Sequence, residues 1–174
     1  HFVQRPLGTG LYLLKNRTAE RELILTANEH YFKGRPHPGK IIAGFMIGSQ
    51  RLYDFVHDNP IIEMHPSEYV NDPFIVAQND RMVAINSAIE VDLTGQVNAE
   101  QSGRAYLGGT GGQVDFVRAG GRSPGGHSII ALPATARGGS ISRITVGLSG
   151  PVTTARSDVD IIVTEFGAAE LKGQ

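Results

Sequence analysis

Apolar and polar positions change period several times along this chain, and each change predicts an element. Between Thr18 and Phe32, Leu23, Ala27 and Tyr31 recur every four residues, with Glu20 and Glu22 near the start, where a helix dipole favours acids. This predicts a helix, ended by Lys33-Gly34-Arg35-Pro36. Ile41 to Ile47 is almost continuously apolar, the pattern of a buried strand. Ser49 then reads as the N-cap of a helix through His57, closed by Asp58-Asn59-Pro60. Strict alternation from Met82 to Leu93 predicts a long strand, and Thr94-Gly95 turns it into a second strand over Gln96 to Glu100. Ser128–Leu132, Ile141–Leu148, Val152–Ala155 and Ile161–Val163 read as further strands. Strands mixed with three or four helices predict an α/β fold: an open mixed sheet flanked by helices.

One stretch stands outside these periods: Gly108-Gly109-Thr110-Gly111-Gly112-Gln113-Val114-Asp115-Phe116. Four glycines in five positions leave main-chain N–H groups bare to a ligand. The apolar residues Val114, Phe116 and Val117 follow at once, so the loop is expected to open a short helix. Loop N–H groups and a helix N-terminus together form a site for an anion or a developing oxyanion. The alternative is a tight turn needing positive φ. A phosphate-binding P-loop is excluded, because Gly112-Gln113-Val114 stands where that motif needs Gly-Lys-Ser/Thr. The dinucleotide fingerprint fails as well, with Val114 where a small residue belongs.

Composition narrows the classes. The chain has 174 residues, 40% apolar and 19% charged, the profile of one ordinary globular domain. Its 22 glycines exceed the usual share of about 7% and gather between Gly95 and Gly150. A net charge of −1 with no basic stripe argues against a nucleic-acid partner. The absence of cysteine removes disulfides and thiolate chemistry and fits a cytoplasmic enzyme. No apolar run approaches the roughly 18 residues of a membrane span. The start, His1-Phe2-Val3-Gln4-Arg5, is neither a signal peptide nor an initiator Met, as expected of a fragment or processed piece.

Several further blocks keep a characteristic order: His37-Pro38-Gly39-Lys40, Gly48-Ser49, Leu52-Tyr53-Asp54-Phe55, Asp58-Asn59-Pro60, Tyr69-Val70-Asn71-Asp72-Pro73 and Ile85-Asn86-Ser87-Ala88. Val91-Asp92-Leu93-Thr94-Gly95-Gln96-Val97, the glycine loop and Val163-Thr164-Glu165-Phe166-Gly167 complete the series. In order and spacing they resemble the C-terminal domain of the acetyl-CoA hydrolase/transferase family, of the 4-hydroxybutyrate CoA-transferase type. The resemblance covers residues 37–174 and leaves residues 1–36 as a helical N-terminal segment outside it. It implies CoA transfer between two carboxylates through a glutamyl-CoA thioester. Coenzyme A or acyl-CoA is then the substrate, and no metal is needed. It also implies an N-terminal CoA-transferase domain or second subunit as partner, and allows a homo-oligomer.

That chemistry needs a carboxylate nucleophile and donors for the oxyanion of each tetrahedral intermediate. The resemblance makes Asn71 the first candidate donor, since a side-chain amide carries two N–H groups. The alternative for Asn71 is an N-cap for a helix starting at Pro73. Gly112 is the second oxyanion candidate, and Gly109, Gly111, Gly112 and Gln113 are the candidate contacts to coenzyme A. For Gln113, a solvated loop position is the alternative. The family's nucleophile usually lies in a Thr/Ser-Glu dipeptide about 20 residues ahead of the segment matched by His37. Here that place reads Leu11-Tyr12-Leu13-Leu14-Lys15-Asn16-Arg17, without an acid. Glu22 is the nearest candidate nucleophile, beside Glu20, and solvated helix acids are the alternative for both.

Other polar residues carry less. Glu90 and Asp92 share a strand face, which permits acid/base work, although a structural pair is the preferred reading. Glu165 reads as a structural anchor. His57 and His65 do not cluster, and His37 and Lys40 read as solvated loop residues. No Gly-x-Ser-x-Gly elbow supports a serine hydrolase. Acyl-CoA hydrolysis and a non-catalytic CoA-binding or oligomerisation module are the competing functions.

Overall fold

The computed structural model describes residues 12–17, 23–27 and 40–172. The chain divides into two compact units, His1–Met64 and His65–Gln174.

In the first unit, β1 (Tyr12–Arg17) pairs antiparallel with β2 (Leu23–Ala27). The helix expected from Thr18 to Phe32 is therefore corrected at its centre. Leu23-Ile24-Leu25-Thr26 is a continuous run with β-branched members, and strand pairing overrides the four-residue spacing. Glu20 and Glu22 lie outside the described residues, as does His37. Next come β3 (Ile41–Ala43), α1 (Gln50–Val56) and β4 (Ile62–Met64), a β-α-β unit whose strands run parallel. The first strand stops at Ala43 instead of Ile47 because its partner ends at Met64. Ser49 does cap α1, through its carbonyl, which accepts from the N–H groups of Leu52 at 2.9 Å and Tyr53 at 3.3 Å. Lys40 is paired with Glu63.

The second unit opens with two single-turn helices, α2 (Ser67–Val70) and α3 (Pro73–Val76). Strands β5 (Val83–Asn86), β6 (Glu90–Asp92), β7 (Val97–Asn98), β8 (Gln101–Ser102) and β9 (Ala105–Tyr106) follow. The glycine loop then opens α4 (Gln113–Arg122), a helix of 10 residues. After it come β10 (His127–Ala131), β11 (Thr135–Ala136), β12 (Ile141–Ser142), β13 (Ile144–Thr145), β14 (Ile161–Thr164) and β15 (Gly167–Glu170). A four-stranded sheet has the order β15-β14-β10-β5, with β5, β10 and β14 parallel and β15 antiparallel. A three-stranded sheet has the order β13-β6-β7. The class is thus α/β with a mixed sheet, as the sequence predicts, but built from several sheets.

The long alternating strand from Met82 to Leu93 is where the prediction fails. It breaks at residues 87–89, and its halves, β5 and β6, join different sheets. Period-two alternation persists through the break, because Ala88 enters the core while Ile89 bonds sideways to the Asn98 carbonyl at 2.8 Å. The expected strand at Val152–Ala155 reduces to one bridge between Val97 and Thr154.

The core joins both sheets to α4: Ala88, Val91, Val97, Val117, Ile130, Leu132, Val159 and Ile162. Helix α4 packs on β5 and β10, and Gly120 makes the approach close. A β-carbon there would lie 2.6 Å from the His127 carbonyl oxygen and 3.2 Å from the Ala84 side chain. No helix among the described residues is long and apolar enough to cross a membrane.

Two buried carboxylates serve the fold. Asp92 organises the β6–β7 turn: its Oδ1 accepts from the Thr94 N–H at 2.9 Å, the Thr94 hydroxyl at 2.7 Å and the Gln96 N–H at 3.0 Å, and its Oδ2 accepts from Gln96 Nε2 at 2.9 Å. Glu90 Oε1 accepts from Asn98 Nδ2 at 2.9 Å, the Ser149 N–H at 2.7 Å and the Ser149 hydroxyl at 2.9 Å. Burial by itself raises both acidities' midpoints, but the combined hydrogen bonds outweigh it and hold both carboxyls below their ordinary values. The unfolded chain then binds more protons than the folded one as pH falls. This contribution to stability is complete above the ordinary carboxylate range and is lost as pH drops through the lowered values. Urea titrations between pH 7 and pH 3 should show stability falling over that window. Glu90→Gln keeps an acceptor at Oε1 and should flatten that fall. Glu90→Ala, which strands Asn98 and Ser149, should cost about 2–3 kcal/mol at pH 7.

Candidate active site

Asp72, and not Asn71, caps α3. The Asp72 Oδ1 accepts from the Phe74 N–H at 2.7 Å and the Ile75 N–H at 3.3 Å, with Pro73 in the first turn. Asn71 instead closes α2, its backbone N–H donating to the Ser67 carbonyl at 2.8 Å. Its side chain is therefore not needed for capping. Because α3 packs along α4, Asn71 is carried to the start of that helix. There it lies on Gly112: a β-carbon at Gly112 would collide with the Asn71 amide nitrogen and stand 3.2 Å from its Cγ. Phe116 closes the other side, 3.6 Å from the same point. Asn71 and Gly112 thus meet, although they are far apart in sequence.

Gly112 is the N-cap of α4, with φ −93°, and no side chain caps the helix. The first N–H groups of α4 therefore have no intrahelical acceptor, and the helix dipole makes their surroundings positive. Asp115 in the first turn offsets part of that field. Gly111 adopts φ +55°, a left-handed conformation that favours glycine. Around Gly108, Gly109 and Gly111 a β-carbon would meet nothing within 4 Å, so the loop borders open space. This combination of a side-chain amide, a bare helix start and an open glycine loop can receive an oxyanion or a thioester carbonyl.

Gln113 departs from both of its expected roles. It is 8% exposed, and both ends of its amide are engaged by the protein. Nε2 donates to the Ser87 carbonyl at 2.7 Å, and Oε1 accepts from the Thr154 hydroxyl at 3.1 Å. Its side chain is neither a solvated loop group nor presented to a ligand, because the first turn of a packed helix turns it inward. Glu90 and Asp92 are occupied as described above. Glu165 acts as an anchor, its Oε2 accepting from the Ala134 N–H at 2.7 Å. His65 stacks on Tyr69 with ring centroids 4.7 Å apart, and exposed His57 lies 3.4 Å from Asp58. Among the described residues no three His, Asp or Glu side chains gather as metal ligands.

Two residues escaped the sequence reading. Thr154 is fully buried and holds Gln113. Asn86, at the C-terminal end of β5, has a buried Nδ2 without a hydrogen-bond partner. Nothing in the strand alternation distinguishes either one. Glycine contacts do yield a test. Gly112→Ala should leave the fold stable to within about 1 kcal/mol, since its φ suits alanine and a side-chain amide can swing aside. It should shift the Asn71 side-chain NH2 signals in ¹⁵N–¹H spectra. Gly120→Ala meets a backbone carbonyl instead and should cost about 1–3 kcal/mol in urea denaturation.

Residues 48–174 match the family described as acetyl-CoA hydrolase/transferase C-terminal domain. The 4-hydroxybutyrate coenzyme A transferase of Clostridium kluyveri is 50% identical over 99% of this chain, an alignment that extends ahead of His37. The succinyl-CoA:cyclohexane-1-carboxylate CoA transferase of Geobacter metallireducens is 46% identical over 98% of it. The chain spans about two fifths of the length of these relatives, 41% and 39%. The crystal structure of RipA from Yersinia pestis superposes with a TM-score of 0.73 at 48% identity, covering 78% of this chain and 31% of RipA. The chain belongs to the acetyl-CoA hydrolase/transferase family, with residues 48–174 matching its C-terminal domain.

Proposed function

We propose that this chain is the C-terminal part of a CoA-transferase that exchanges CoA between an acyl-CoA and a free carboxylate. The observation that carries this reading is the contact of the Asn71 amide with Gly112 at the uncapped start of α4. In the reaction, a glutamate carboxylate attacks the thioester carbonyl, whose oxygen becomes an oxyanion. Collapse expels CoA thiolate and leaves a mixed anhydride. The thiolate then attacks the glutamyl carbonyl, releasing the first carboxylate and forming glutamyl-CoA. A second carboxylate reverses the sequence and departs as the new acyl-CoA. Each tetrahedral intermediate carries one negative oxygen, and Asn71 Nδ2 with the Gly112 N–H supplies its donors. Donors already held in place stabilise that charge without reorganising, which lowers the barrier more than it tightens substrate binding. Gly109 and Gly111 leave the loop backbone open to the thioester end of CoA. An N-terminal CoA-transferase domain or a second subunit completes the acyl and carboxylate surface, and the protein works in the cytoplasm.

Exchange of CoA between acetyl-CoA and a labelled carboxylate, followed by mass spectrometry, tests the reading in the catalytically complete protein. Asn71→Ala should lower turnover roughly 10²–10³-fold while the protein stays folded, the usual effect of losing one oxyanion donor. An unchanged rate would remove Asn71 from the mechanism.

The chain by itself should behave differently. Without a positioned carboxylate there is no covalent step for the donors to stabilise. Incubation with acetyl-CoA and then borohydride should yield no CoA adduct and no reduced glutamate, while weak CoA binding persists at millimolar concentration. An adduct at Glu20 or Glu22 would make that residue the nucleophile. Absence of binding at millimolar CoA would mean that this part needs its partner domain to form the pocket.

A further inference from the structure

We infer that Gln113 is the positioning residue of this site: its side chain fixes the start of α4, and with it the Gly112 N–H and the Asn71 amide lying on Gly112. The inference rests on the reading of Asn71 and Gly112 as oxyanion donors and adds the element that holds them in register.

Gln113 is the first residue of α4, directly after Gly112. Its Nε2 donates to the Ser87 carbonyl, one residue beyond the end of β5 in the four-stranded sheet. Its Oε1 accepts from Thr154, a fully buried residue. Thr154 is itself fixed to β7 of the three-stranded sheet. The Val97 N–H donates to the Thr154 carbonyl at 3.0 Å, and the Thr154 N–H donates to the Val97 carbonyl at 3.1 Å. One amide therefore ties the helix start to both sheets. Both bonds run through low-exposure surroundings, where hydrogen bonds are strong and an unmade one is costly. Glycine needs such a restraint more than other residues do, because Gly111 and Gly112 have no side chains to hold them. A donor displaced by about 1 Å loses much of its effect on a transition state.

The test uses the ¹⁵N-labelled chain and no ligand. It reads the Gly112 amide, the Asn71 side-chain NH2 and hydrogen exchange at the Phe116 N–H, which donates to the Gly112 carbonyl at 3.2 Å. Gln113→Met keeps the length and removes both polar ends. It should leave the Ile130 amide in place, shift the Gly112 and Asn71 signals, and speed Phe116 exchange about tenfold. Thr154→Val should act in the same direction more weakly. Thr154→Ser, which keeps the hydroxyl, should restore the wild-type signals. A folded Gln113→Met chain with unmoved Gly112 and Asn71 signals overturns the proposal. So does an equal disturbance of Ile130 and the core, or unfolding of both Gln113→Met and Thr154→Val, since Gln113 would then support the fold at large. An unchanged turnover for Asn71→Ala in the catalytically complete protein would count against the functional reading alone.

Discussion

The close approach of α4 to the four-stranded sheet at Gly120 sets the geometry of the second unit. The His127 carbonyl and Ala84 occupy the space a side chain would need, so the helix can lie that near only with glycine. Val117, one turn earlier, is then fully buried among Ile130 and Ile162. A rigid helix seated at two such points has little freedom left in its direction. Its N-terminus is delivered next to the C-terminal end of β5. Open sheets place ligands there, because helix starts and strand ends meet at that edge and expose unpaired backbone groups. The candidate site is thus a consequence of core packing, and its donors are backbone and amide groups instead of flexible charged chains.

The same unit shows where its buried charge goes. Glu90, Asp92 and Asp160 are all largely buried, and each accepts a backbone N–H from a loop or a neighbouring strand. A carboxylate so engaged is a poor nucleophile, since its lone pairs are committed to donors. These acids replace secondary-structure bonds that the short strands cannot supply. The division of labour is chemical: carboxylates hold the loops, while the neutral Asn71 amide lies at the start of α4 beside the glycine loop.

Much of the site was legible in the sequence, and the reasons for success and failure are physical. Asn71 and Gly112 could be paired only through the ordered blocks of the family. No local pattern joins residues so distant in the chain. The alternative for Asn71, a helix cap, falls to its neighbour, because Asn and Asp are equally good caps and only the observed geometry chooses Asp72. Helix α1 was found almost to the residue, from Ser49 to His57, since its start and stop are local. The strand from Met82 to Leu93 was overextended for the opposite reason. A change of sheet depends on partners elsewhere in the chain, and the apolar set does not mark the buried side here: Val83 and Ile85 are exposed while Ala84 and Ala88 are buried. The sequence offers Gln113 as a coenzyme A contact or a solvated loop residue, because polarity alone does not reveal an inward turn.

The arrangement also explains how a glycine-rich loop can be open and yet ordered at one end. Glycine offers access but no restraint, and four in five positions would ordinarily leave the backbone with many conformations to lose on binding. Here the restraint comes from outside the loop. Gln113 fixes its last member from below, and Asn71 rests on Gly112 from α2 and α3. The freedom that remains lies at Gly108 and Gly109, farther from the paired donors. Access and order are therefore separated along five residues: an open entry on one side, and donors held by the core on the other. Order is thus concentrated at the end of the loop that belongs to the folded helix.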